Sequence, residues 1–267
     1  MPDFLYNSRN IRYVKSGAGI PVVLLHGFGE DSRVWNNQIA WLEQSFQVIA
    51  PDIPGSGGSD RLHDLPEAGI EEYADAMYAL LQQEHITRCT LLGHSMGGYI
   101  ALALAQKHPD IINGLGLVHS TAFADNEEKK ANRQRGIQMM DQYGGAAFLK
   151  TTIPNLFSVS YKMTNADEIN KLIEQGNEFS TQSLQQYYYA MMTRPDRSSV
   201  LTEIKKPVLF IAGTEDVAVP INDVLKQTSM PDYSYIHVLD HVGHMGIWET
   251  PDIVNRFISD FVMAANR

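Results

Sequence analysis

The chain has 267 residues, 44% of them hydrophobic, enough to bury a sizeable core without a metal or disulfide. With 21 Lys and Arg against 31 Asp and Glu, the formal charge of −10 repels phosphate backbones and anionic headgroups and argues against nucleic acid or a membrane as partner. The one cysteine, Cys89, has no second thiol to pair with, and the first ten residues lack the apolar run of an export signal, so a reducing cytoplasm is the expected location.

In chain order, Ile11–Lys15 is expected as an antiparallel edge strand. Short apolar runs at Val22–His26, Gln47–Pro51, Thr90–Gly93, Leu115–His119, Val208–Ala212 and Tyr235–Leu239 follow, most of them continuous enough to be covered on both faces. Between them Ile70, Tyr73, Ala74, Met77, Leu80 and Leu81 recur at helical spacing with acids on the other side, and Tyr99–Ala105 is apolar all round, as an enclosed helix requires. Ile253, Val254, Phe257, Ile258 and Phe261 mark a last amphipathic helix. This alternation predicts an α/β fold with a mostly parallel sheet. It fails between about Thr121 and Val200, where charged helical patterns such as Glu127–Arg135 and Glu168–Glu178 carry scattered Met, Tyr and Phe. Residues 121–200 are therefore expected as a helical cap inserted into a core made of 1–120 and 201–267.

Gly93-His94-Ser95-Met96-Gly97 has the form G-x-S-x-G and lies between an apolar strand and an apolar helix. A residue on so sharp a turn is forced into strained backbone angles, and the positions two before and two after it must lack bulk, which Gly93 and Gly97 satisfy. The helix that follows offers unpaired N–H groups and a dipole that favour developing negative charge near Ser95. Serine is a weak nucleophile unless a base lies within reach and a third group orients that base.

Here the sequence resembles the α/β-hydrolase superfamily over nearly its whole length. Beside the serine turn, His26-Gly27-Phe28-Gly29 follows the third strand, Asp52-Ile53-Pro54-Gly55-Ser56-Gly57-Gly58-Ser59 the fourth, Gly213-Thr214-Glu215-Asp216 the penultimate and Gly243-His244 the last. The resemblance implies a sheet of about eight strands with helices on both faces and the inserted cap. It also implies the chain order nucleophile, acid, histidine, met by Ser95, Asp216 and His244, and an oxyanion hole built from the backbone N–H groups of Met96 and Phe28. His237 and His241 are rivals for the base, although a histidine near a strand end is more often structural. Glu215 competes with Asp216 for the acid, with Asp125 in reserve. Phe28 also reads simply as pocket wall.

The cap's apolar residues, Met139, Leu156, Phe157, Tyr188 and Met192, are expected with Val217 and Met245 to line a substrate pocket, although any one of them is as readily core of the cap itself. Residues 55–59 lack the lysine of a phosphate loop and read as a turn. His241 and His244 lack the ligand pattern of a zinc site, so neither metal nor cofactor is expected.

The implied activity is hydrolysis of a small to medium, largely apolar and neutral carboxylic ester through an acyl-enzyme. Cleavage of carbon–carbon bonds, thioesters, lactones or peracids is the alternative. A slow-turnover ligand sensor on the same fold is the reading from another class. The sequence leaves open whether the chain acts as a monomer or a homodimer.

Overall fold

The computed structural model describes all 267 residues. β1 (Asp3–Tyr6) and β2 (Arg9–Ser16) form a hairpin whose two turn residues, Asn7 and Ser8, both have positive φ, 48° and 64°. Such a turn twists in the same sense as the strands it joins. β3 (Pro21–Leu25), α1 (Asn36–Leu42), β4 (Gln47–Pro51), α2 (Ile70–Gln83), β5 (Cys89–His94), α3 (Met96–Lys107) and β6 (Ile112–Val118) then alternate. Six helices follow without a strand: α4 (Glu127–Tyr143), α5 (Gly145–Thr152), α6 (Val159–Thr164), α7 (Ala166–Gln175), α8 (Thr181–Thr193) and α9 (Ser198–Glu203). The strand pattern resumes with β7 (Val208–Gly213), α10 (Ile221–Leu225), β8 (Ser234–Leu239), α11 (Gly246–Glu249) and α12 (Pro251–Ala265).

The eight strands form one sheet in the order β1-β2-β4-β3-β5-β6-β7-β8, parallel from β4 to β8. β2 runs antiparallel to β4, as expected of Ile11–Lys15, but it is not the edge: β1 pairs on its outer side. β1 has only four residues, half-buried at alternate positions, too brief a pattern to separate from an irregular terminus. The inner strands β5 and β7 are buried at every position, which explains their unbroken apolar runs. Cys89, at the start of β5, is fully buried, and burial pushes its thiol up to about 12.

α2 packs on α3, and α1 on α12, the two pairs covering the sheet. α3 is buried from Met96 to Ala105, in keeping with its all-round apolar sequence. The stretch between β6 and β7 is closed at its base, where Arg197 N–H donates to the Ala122 carbonyl at 2.8 Å. It is tied over the strand ends by the Tyr187 hydroxyl, which donates to the carbonyls of Ile53 and Pro54 at 3.0 and 2.9 Å, and by the Gln186 amide, which donates to Leu65 at 2.7 Å. Helices α4, α5 and α8 thereby lie over the carboxyl ends of the parallel strands, where an open α/β sheet places its ligands.

Candidate active site

Ser95 sits between β5 and α3 at φ 51° and ψ −118°, a conformation that costs a non-glycine residue on the order of 1–3 kcal/mol. The surroundings hold it there: its N–H donates to Val118 at 3.0 Å, and its carbonyl accepts from the Ser120 hydroxyl at 2.7 Å and from Gly98 N–H at 2.9 Å. A Cβ on Gly93 would run into the backbone of Gly97 and Gly98, and one on Gly97 into the carbonyls of Leu25 and His26. The sharp turn thus requires both glycines. Met96 opens α3, so its N–H belongs to the unpaired first turn of that helix.

Asp216 follows β7 in a tight loop and is buried. One carboxylate oxygen accepts the N–H groups of Ala218 and Val219 at 2.9 and 2.8 Å; the other faces His244 Nδ1 at 2.8 Å and His119 Nδ1 at 3.2 Å. Burial alone would raise its pKa, but the nearby His244 and the hydrogen bonds from both imidazoles outweigh it and hold the carboxyl well below the usual range. His119, Asp216 and His244 are ligand types within 4.8 Å of one another, yet both imidazoles lie at hydrogen-bond distance from the same carboxylate oxygen, and the other oxygen is taken by the two N–H groups.

His244 lies in the loop after β8. Its N–H donates to the Leu156 carbonyl at 2.7 Å, and Glu249 braces the same loop by accepting from Gly243 N–H at 3.0 Å and from Ser158 N–H at 3.2 Å. With Nδ1 turned to Asp216, the opposite edge of the ring carries Nε2. His244 and Ser95 line the same cavity, of about 130 Å³, without a direct hydrogen bond between them.

The loop after β3 is fixed from two sides. Ile53 N–H donates to His26 Nε2 at 2.8 Å, and Gly27 N–H donates to Glu30 at 2.6 Å. Phe28 N–H has no protein acceptor, and its ring lies 4.5 Å from that of Tyr188 at the cavity wall. Glu30 and His94 are both buried, with carboxylate and Nδ1 3.0 Å apart and His94 Nε2 3.0 Å from the His244 carbonyl. Burial alone would raise Glu30, but His94 and the Gly27 N–H draw its carboxyl below the usual value; burial alone would lower His94, but Glu30 and the His244 carbonyl lift its imidazole above it.

The pocket expectations divide. Leu156 and Tyr188 line the cavity, together with Tyr99, Arg133, Leu149 and Met191. The other five do not. Met139 is 44% exposed on the outer side of α4, because Ile137 and Met140 take the inward face. Phe157 is buried in a stack with Tyr161, ring centroids 5.2 Å apart. Met192 lines a separate surface groove with Tyr189 while its neighbour Met191 faces the cavity. Val217 is 71% exposed, and Ala218 and Val219 line the wall in its place. Met245 is buried beside the histidine loop but off the cavity.

The rival acids and bases lie elsewhere. Asp125 is bound by Arg133 and Arg194, Glu215 faces the exposed His241 at 3.2 Å, and His237 stacks on Phe257. Sequence reasoning passed over Glu30, His94, His119 and Arg133. Only Arg133 left a readable signal, a charge at the position of an inward stripe that continues to Ile137 and Met140.

The sequence profile of the alpha/beta hydrolase fold family matches residues 20–251, and the chain belongs to that family. A 2-hydroxy-6-oxo-6-phenylhexa-2,4-dienoate hydrolase of Comamonas testosteroni is 28% identical, the match covering 98% of this chain and 92% of that protein. A putative carbamate hydrolase, RutD, of Yersinia enterocolitica is 30% identical over 77% of this chain and 73% of its own length. Among solved structures, a thermophilic esterase from Thermogutta terrifontis is similar with a TM-score of 0.91 at 28% identity, covering 97% of this chain and 95% of that one. No helix of this chain is long and apolar enough to cross a membrane.

Proposed function

We propose that this protein is a serine hydrolase acting on a small acyl substrate, with a carboxylic ester as the first choice. The observation that carries the reading is the 2.8 Å contact between Asp216 and His244 Nδ1, which leaves the far nitrogen of the imidazole for the cavity that holds the strained Ser95. In this reading His244 takes the Ser95 proton as the hydroxyl attacks the substrate carbonyl. Asp216 holds the ring in the needed tautomer and stabilises the imidazolium. The N–H groups of Met96 and Phe28 receive the oxyanion, His244 returns the proton to the leaving group, and water then hydrolyses the acyl-enzyme. Residues 121–200 serve as the cap. The cavity volume of about 130 Å³ is below the roughly 300–1,000 Å³ usual for drug-sized ligands and favours a short acyl chain.

The similarity to the Comamonas hydrolase supports a second reading, hydrolysis of a carbon–carbon bond in a dienoate. A fluorophosphonate probe tests the shared chemistry: rapid labelling of the native protein, lost in Ser95→Ala, is expected, and equal labelling of the two proteins refutes it. Rates on matched esters, thioesters and a dienone acid then choose the substrate class, and turnover slower than about one per minute on all of them favours a ligand sensor.

A further inference from the structure

Two charged side chains reach the cavity, Glu30 and Arg133, and they differ in what they leave unmet. Glu30 takes the Gly27 N–H and is paired with His94, both of whose ring nitrogens face acceptors, the Glu30 carboxylate and the His244 carbonyl, so that the Glu30 carboxylate is already met within the protein. Arg133 projects from α4. Its Nε donates to Asp125, and its guanidinium lies 5.3 Å over the Tyr188 ring. Its two terminal nitrogens, Nη1 and Nη2, have no acceptor in the protein.

Asp125 does not cancel this charge, because it serves two cations. Its other oxygen accepts from Arg194 at 2.9 Å; the Arg194 guanidinium is itself buried, 3.8 Å from the Tyr99 ring, with the Met191 and Phe123 carbonyls as further acceptors. Two guanidinium groups and one carboxylate leave one net positive charge, with Asp125 only 1% and Arg133 19% exposed at the side chain. A half-enclosed cation with unused donors is costly unless something meets it. The planar fork of a guanidinium matches a carboxylate with two parallel hydrogen bonds.

We propose that Arg133 is the anion-recognition residue of this site and that the substrate carries a carboxylate remote from the carbonyl under attack. The inference rests on the serine-hydrolase reading and adds to it the substrate class, an ester or related acyl derivative of a short dicarboxylic acid. Asp125 and Arg194 position Arg133, the Tyr188 ring supports it, and the Glu30 carboxylate is turned to His94 and Gly27. Ser95 acts on the uncharged carbonyl while Arg133 holds the charged end.

The test compares the hemiester mono-4-nitrophenyl glutarate with 4-nitrophenyl butyrate, which lacks the second carboxylate. Native protein is expected to prefer the hemiester in kcat/KM. In Arg133→Gln the hemiester-to-butyrate ratio is expected to fall roughly 10- to 100-fold, chiefly through KM, with partial recovery in Arg133→Lys. Both rates come from one preparation, so a loss of folded protein cancels in the ratio. A ratio that ignores the substitution overturns the proposal. Calorimetric titration with glutarate separates this from failure of the hydrolase reading. If neither ester turns over but glutarate affinity falls by a similar factor in Arg133→Gln, the anion site stands and the hydrolase reading falls. If the esters turn over and neither their ratio nor glutarate binding responds to residue 133, the anion site falls alone. Absence of both turnover and glutarate binding overturns both.

Discussion

Glu30 and His94 face each other at 3.0 Å with neither side chain reaching solvent, and each makes a second bond to a loop of the site. Glu30 holds Gly27 N–H, which leaves the neighbouring Phe28 N–H free, and His94 holds the carbonyl of His244. One ion pair therefore joins the turns after β3, β5 and β8. Glu30→Gln keeps the shape and removes the charge, so kcat on a reporter ester should fall by on the order of 10²-fold with little change in KM, as loss of alignment predicts. Glu30→Leu strands the imidazolium and should cost about 3–5 kcal/mol in urea unfolding. Native-like stability in Glu30→Leu would mean that the pair carries no charge.

The pair also sets a pH window. Glu30, lowered in the fold, contributes stability that is present above the ordinary carboxyl value of 4.5 and is lost as pH falls through its own lower value. His94, raised in the fold, contributes stability that is full below the ordinary 6.5 and is lost as pH rises through its own higher value. The stability gap between native protein and the double variant Glu30→Gln, His94→Gln should therefore be widest between pH 4.5 and 6.5 and shrink on either side. Urea titrations across pH 3–9, on the order of one per unit, check this, and a gap independent of pH contradicts it.

His119 behaves in the opposite sense. Burial pushes it down to about 4 against the pull of Asp216, so the folded protein resists a proton that the unfolded chain accepts below 6.5. Stability should fall between pH 6.5 and 4 by roughly 3 kcal/mol from this group alone. His119→Gln should flatten that part of the stability curve, measured by chemical unfolding near each end of the range. An unchanged slope would assign the acid sensitivity to other groups.

Removal of the Ser95 hydroxyl should cost about 10⁴–10⁶ in kcat, and adding His244→Ala to Ser95→Ala should cost little more, because groups that act as a unit lose their effect together. Additive losses in single-turnover assays would separate the two residues into independent roles.

What the sequence disclosed follows from how locally each feature is encoded. β5, the turn at Ser95 and α3 are contiguous and chemically distinctive, so nineteen consecutive residues from Cys89 to Lys107 spell out strand, elbow and helix. Asp216 and His244 were legible through loops of recognisable composition. Glu30 and His94 were not, because they lie 64 positions apart and their pairing exists only once β3 and β5 are neighbours. The cavity wall was half legible, since composition marks an apolar segment but not which side of a helix turns inward. Counting back from Ile137 and Met140 would have excluded Met139 and drawn in Arg133. At Val217 the error was one position in a loop without periodicity.

The bond from His244 N–H to Leu156 and the Glu249 bridge to Ser158 fasten the roof of the cavity to the very segment that bears the imidazole. A swing of the entire roof about that corner would carry the imidazole of His244 with it, away from Asp216. Any opening at that corner is therefore geared to the contact between His244 and Asp216.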